Sequence, residues 1–194
     1  MTPLEALGPA IAEVRRYLSL VEIDQWERLT PCDGWTVRAL TEHLVGGSRM
    51  AAVLLGGGSR ADAVACFGQH LSSNPADAFS DATGIEKPAF DRAALNMIVP
   101  HPAMDMPISQ MLNFRVADYL IHSWDLAHAL GVDDTLNPDL VELVWTRLEP
   151  MGPMMGQSGM FGAGPSGTVG VDASLQDRLI DLTGRRLGTS APLA

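Results

Sequence analysis

Arg115-Val116-Ala117-Asp118-Tyr119-Leu120-Ile121-His122-Ser123-Trp124-Asp125 reads as the middle of a long helix. At about 100° per residue, Arg115, Asp118, His122 and Asp125 fall on one stripe. Ile108, Met111 and Leu126 lie close beside that stripe, and Leu112 and Tyr119 flank it. The helix therefore turns a carboxylate and an imidazole toward its own core. Such groups are costly to bury unpaired, so an internal ion-pair network or a bound metal ion must hold them.

Working outward, Pro107 suits the first turn of this helix and Gly131 suits its end. Near the start of the chain, Leu4, Leu7, Ile11, Val14, Leu18 and Val21 recur at helical spacing, with Gly8-Pro9 expected to divide or kink the helix. A turn cluster, Thr30-Pro31-Cys32-Asp33-Gly34, follows. Thr36 then caps a second helix carrying Val37, Leu40, Leu44, Val45, Val53 and Leu54, which Gly56-Gly57-Gly58-Ser59 stops. Residues 61–71 and 76–82 read as short helices, and 95–99 as a short strand or extended segment ended by Pro100 and Pro102. Pro138 starts a helix with Leu140, Val141, Val144, Trp145 and Leu148 on one side, and Pro150 ends it. Residues 151–170 are loop-like, and a final helix runs from about Ala173 into Gly184-Arg185-Arg186.

Four substantial helices with short extras predict an all-α four-helix bundle. The expected organisation is one domain, 1–194, with 151–194 a loop plus a short C-terminal helix packed on it. The first two helices are close in sequence, as are the third and fourth. A long crossover separates the second from the third.

Composition narrows the function. The chain has 194 residues, 46% hydrophobic and 19% charged, as expected of an ordinary globular protein. A net charge of −10 and the lack of a basic run argue against nucleic-acid binding. No apolar run is long enough to span a bilayer, and residues 1–21 carry too many charges for a signal peptide, so the cytoplasm is expected. Cys32 and Cys66 lack zinc-type spacing and read as two free thiols. Lys87 is the only lysine against twelve arginines, a bias typical of high-GC bacterial genomes.

Asp118 and His122 stand at i and i+4, the spacing by which one helix offers two ligands to one metal. An open divalent site needs about three protein ligands. His43 is the nominee for the third, on the flank of the second helix beside Gly47, whose small size leaves room. His43, Asp118 and His122 would suit zinc, nickel, iron or manganese. The bland alternative pairs Asp118 with Arg115 and His122 with a backbone carbonyl. Asp125 is placed either to orient the His122 ring or to make a helix-terminal or inter-helix hydrogen bond. Trp35 and Trp124 flank the ligands in sequence and are expected in the core or as walls of the site. Met151, Met154, Met155 and Met160 belong to a linker that packs on the bundle or covers the cavity. His128 lies on another face, and His70 and His101 are read as surface residues.

The segment Trp26-x-x-Leu29-Thr30-Pro31-Cys32-x-Gly34-Trp35-Thr36-Val37-Arg38-x-Leu40-x-x-His43-Leu44 resembles the N-terminal signature of DinB-like metal-binding proteins of the mycothiol-dependent maleylpyruvate isomerase group. Asp118-x-x-x-His122-x-Trp124-Asp125-Leu126-Ala127 resembles their second signature. Asp172-Ala173, Asp177-Arg178-Leu179 and Gly184-Arg185 resemble the ending of short actinobacterial members. The resemblance implies an up-down-down-up bundle and a divalent metal, usually zinc or nickel, on His43, Asp118 and His122. Asp118 departs from the glutamate or histidine more usual there. The resemblance also implies a low-molecular-weight thiol such as mycothiol, acidified by the metal to attack a small electrophile. The larger isomerases carry an additional C-terminal domain, whereas only a short tail follows Pro150 here.

The leading expectation is thus a metal- and thiol-dependent transferase or isomerase. A non-catalytic metal-binding or stress-associated bundle is the alternative, and a polar core with no metal is the third. Arg115 is expected to pair with Asp118 rather than to hold a substrate anion. A homodimer through a helix face is expected from the bundle class.

Overall fold

The computed structural model describes residues 1–71, 74–152 and 164–187. In chain order it contains α1 (Pro3–Leu18), α2 (Val37–Leu55), α3 (Arg60–Val64), α4 (Pro75–Arg92), β1 (Ile98–Pro100), β2 (Asp105–Pro107), α5 (Ile108–Leu130), α6 (Pro138–Leu148) and α7 (Leu175–Leu182). A 3₁₀ turn, Glu149–Met151, follows α6. The described residues are mostly helical, as the sequence predicts, with one small two-stranded sheet added.

The helix ends follow local chemistry. Thr2 and Glu5 form a capping box at α1, with Glu5 N donating to Thr2 Oγ1 and Thr2 N to Glu5 Oε2. Thr36 accepts from Ala39 N at 3.2 Å and starts α2 as expected. Gly131 ends α5 at φ 69°, a left-handed position where a Cβ is disfavoured. Gly8-Pro9 does not divide α1, which runs through it to Leu18. Pro9 costs the helix one N–H donor, but Ala6, Leu7, Ala10 and Ile11 are buried around it and hold the turn.

The four long helices are α1, α2, α4 and α5, and this corrects the expected bundle. The long crossover contains a full helix, Pro75–Arg92, where only 76–82 reads as helical from sequence. α2 packs chiefly on α4 and α1 on α5, while α6 packs on α5 and α7. The helix at 138–148 is therefore not one of the four long members. Residues 98–107 fold as an antiparallel hairpin in which Val99 faces Met106. Pro107 is the residue that caps α5 rather than its first turn.

α5 is buried on nearly every side, which marks it as the central helix. Its core neighbours run from Leu7 and Val14 on α1 through Leu40 and Leu44 on α2 to Phe79 and Phe90 on α4. His43 lies beside His122, with ring centroids 5.3 Å apart, while Ser48, further along α2, accepts from Arg115, nearer the start of α5, so α2 and α5 run antiparallel. That pairing places residue 43 opposite the chemically loaded stripe of α5. Among the described residues, no helix is long and apolar enough to cross a membrane.

Candidate metal centre

Two helices bring three donors together. Ligand atoms of His43, Asp118 and His122 all lie within 4.8 Å of one another. His43 Nε2 is 3.4 Å from Asp118 Oδ1, and His122 Nε2 is 3.2 Å from the same oxygen. Donors about 2.1 Å from a shared ion, at angles between square and tetrahedral, stand roughly 3.0–3.4 Å apart. The spacing therefore fits an ion as well as it fits direct hydrogen bonds.

The far side of each donor is also held. Asp125 Oδ2 lies 2.8 Å from His122 Nδ1, which turns Nε2 toward Asp118. This contact corresponds to the first of the two roles open to Asp125 from sequence. Arg115 Nη1 donates to Asp118 Oδ2 at 2.6 Å, leaving Oδ1 to face the imidazoles. The His43 ring packs against Trp35 and Phe67, with centroids 4.8 and 5.8 Å away. Side-chain exposure is 30% for His43 and 24% for Asp118 but 10% for His122, so the site opens along the His43–Asp118 edge.

Charge follows from these contacts. Burial alone would raise the Asp118 carboxyl, but the His43 charge and the hydrogen bonds to both imidazoles outweigh it and hold the group well below its ordinary range. Burial would likewise lower His122, yet its bonds to Asp118, Asp125 and Cys32 and the Asp118 charge raise it well above the ordinary histidine value. An ion on Nε2 would take the place of that proton. Asp125 is held far below its usual range because Arg185 and His122 overcome its burial.

A second cluster lies behind His122. Arg185 grips both oxygens of Asp125 with one edge of its guanidinium, Nη2 to Oδ2 at 2.7 Å and Nε to Oδ1 at 3.1 Å. Cys32 Sγ donates to Asp125 Oδ2 at 3.1 Å and accepts from Arg185 Nη2 at 3.1 Å. Cys32, His122 and Asp125 are thus a second group of metal-type donors. A guanidinium already sits on two of them, which disfavours a cation there. Both cysteines are free thiols, as expected.

The remaining expectations divide. Arg115 does pair with Asp118, but it also donates through Nε to the buried Glu86 at 2.9 Å. The space beside Gly47 is not part of the centre: a Cβ there would stand 2.2 Å from Arg115 Nη1. Trp35 walls the site, stacking toward His122 at 6.1 Å, whereas Trp124 stacks on His128 instead. His70 is exposed and meets Glu42 at 2.9 Å, and His101 is half-buried, accepting from Ala103 N. Met154, Met155 and Met160 lie outside the described residues. Sequence reasoning missed Cys32, Arg185, Phe67 and Glu86 as neighbours of the centre. Of these, only Glu86 left a trace in one-dimensional pattern, at helical spacing from Phe79, Ala82, Thr83 and Phe90.

Comparison with known proteins identifies the family and the fold. Residues 7–127 match the model of the mycothiol maleylpyruvate isomerase N-terminal domain, a span that includes Cys32, His43, Glu86, Asp118, His122 and Asp125. Two uncharacterized proteins of Mycobacterium tuberculosis, one from each of two strains, are 31% identical over 144 residues. The alignment covers 72% of this chain and 74% of each relative. The crystal structure of the mycothiol-dependent maleylpyruvate isomerase superposes with a TM-score of 0.64 at 19% identity, covering 84% of this chain and 72% of that one. Its histidine-to-alanine mutant superposes equally well. At that identity the superposition speaks for the fold alone. With the family model spanning well over half of its length, the chain belongs to the family of the mycothiol maleylpyruvate isomerase N-terminal domain.

Proposed function

We propose that this chain binds a divalent metal, zinc or nickel, through His43 Nε2, Asp118 Oδ1 and His122 Nε2, and that it uses a low-molecular-weight thiol of the mycothiol kind to transfer to or isomerise a small electrophile. The observation that carries the reading is the convergence of three donors from two helices within 4.8 Å. A divalent ion there would supply Lewis acidity that lowers the pKa of a thiol. The chain's own residues perform the rest. Asp125 holds the His122 ring so that Nε2 faces inward. Arg115 holds one oxygen of Asp118 and leaves the other available. Trp35 and Phe67 pack against His43, and the exposed His43–Asp118 edge is where a thiol and an electrophile would enter.

Family membership supports the thiol, since the solved relative is a mycothiol-dependent isomerase by name. The antiparallel pairing of α2 and α5 supports an up-down-down-up order in which α4 is the third helix. One apolar core reaching from Ala6 to Leu182 supports a single domain. A cytoplasmic setting, where such thiols stay reduced, suits the two free cysteines.

A second reading, a polar core without metal, draws on the 2.6 Å Arg115–Asp118 bond, which satisfies half of that carboxylate unaided. Metal analysis separates the two. Protein purified without chelator is expected to carry about one ion per chain, lost in His122→Ala. Consumption of maleylpyruvate is expected to require both the ion and mycothiol. An ion without thiol-dependent turnover reduces the protein to a metal binder. No ion in the unaltered chain leaves the polar core as the answer.

A further inference from the structure

Glu86 is a carboxylate buried without any exposed surface in the middle of α4. Its two oxygens are both engaged. Oε1 accepts from Arg115 Nε at 2.9 Å, and Oε2 accepts a short hydrogen bond from Tyr119 Oη. Tyr119 Oη in turn lies 2.7 Å from Ser48 Oγ on α2. The guanidinium rests over the Tyr119 ring, 4.4 Å from its centroid, in space that only a glycine at position 47 leaves open.

Every nitrogen of Arg115 has its own acceptor. Nε meets Glu86, Nη2 meets Leu44 O at 3.3 Å and Ser48 Oγ at 3.4 Å, and Nη1 alone reaches Asp118. That assignment matters because an arginine beside a carboxylate ordinarily closes a two-bond fork on it. A fork on Asp118 would occupy Oδ1 as well as Oδ2. Oδ1 is the atom that faces both imidazoles.

We propose that Glu86 is a positioning residue for the metal centre: by anchoring Arg115 through Nε, it limits the guanidinium to one oxygen of Asp118 and leaves the other for the ion. The inference rests on the metal-binding reading above. It also resolves why a carboxylate is placed in the buried stripe of α4. One arginine charge is divided between two carboxylates, so Asp118 keeps enough negative charge to serve as a ligand. Without Glu86 the same arginine neutralises Asp118 fully and competes with the cation.

The test is a titration of the full chain with Co²⁺, followed by the ion's visible absorption. Glu86→Gln keeps the side chain's size and its acceptor oxygen but removes the charge. It is expected to weaken Co²⁺ binding by about tenfold or more, the usual loss when a ligand's supporting contact is removed. The band shape at saturation stays that of the unaltered protein, because the three ligands are unchanged. In an Arg115→Gln background the same Glu86→Gln change is expected to have no further effect on affinity. Equal or tighter Co²⁺ binding by a folded Glu86→Gln variant overturns the proposal while leaving the metal reading intact. Absence of Co²⁺ binding by the unaltered chain overturns both. Should Glu86→Gln not fold, Glu86→Asp takes its place: one methylene shorter, it draws the carboxylate away from Arg115 Nε and is expected to weaken binding in the same direction. An unchanged affinity there overturns the proposal.

Discussion

Asp125 Oδ2 stands 2.8 Å from His122 Nδ1 while Arg185 holds both oxygens of that same aspartate. One carboxylate thus ties a residue from the C-terminal segment to the ring orientation of a candidate ligand. Asp125 is fully buried, and Cys32 also leans on it. The arrangement makes Asp125 the hinge between the centre and its surroundings.

Asp125→Asn is expected to weaken zinc binding by about tenfold, because the amide keeps the shape but not the charge that raises the basicity of the His122 ring. Competition with a coloured zinc chelator measures it. Binding as tight as in the unaltered chain would show that His122 needs no such support.

Metal-free protein is expected to lose stability on the acid side. Asp125 has a folded-state pKa held below its unfolded value, so its contribution is complete above about pH 4 and disappears as pH falls further. Urea unfolding between pH 7 and pH 3 checks this. Asp125→Asn should be less stable at pH 7 and show a shallower decline below pH 4.

Gly47→Ala is expected to destabilise the protein by about 1–3 kcal/mol, since the added methyl meets the Arg115 guanidinium at 2.2 Å in a filled interior. The displaced arginine should also loosen Asp118, so metal affinity falls with stability. A variant of unaltered stability would mean that the guanidinium has room to move.

Gly131→Ala tests the end of α5 separately from the centre. The left-handed φ of 69° should cost alanine about 1 kcal/mol, read from urea midpoints, with no change in metal affinity.

The central helix was legible because its chemistry repeats on the helical period: Arg115, Asp118, His122 and Asp125 mark one stripe, and Gly131 marks the stop. His43 was legible from its place one turn beyond Leu40 behind a Thr36 cap. α4 was not, because four of the six residues in its buried stripe of Ala78, Phe79, Ala82, Thr83, Glu86 and Phe90 are small or polar. Gly84 and Pro88 add breaker signals that its packing on α2 overrides. Cys32 and Arg185 escaped for a different reason. They reach Asp125 from segments 93 and 60 residues away, and no periodicity connects them.

The most direct test is the position of the ion itself. Crystals grown with zinc and measured at its absorption edge should show one anomalous peak bonded to His43 Nε2, Asp118 Oδ1 and His122 Nε2, with Arg115 still on Asp118 Oδ2. A peak elsewhere, or no peak and a guanidinium closed over both oxygens of Asp118, would contradict the account.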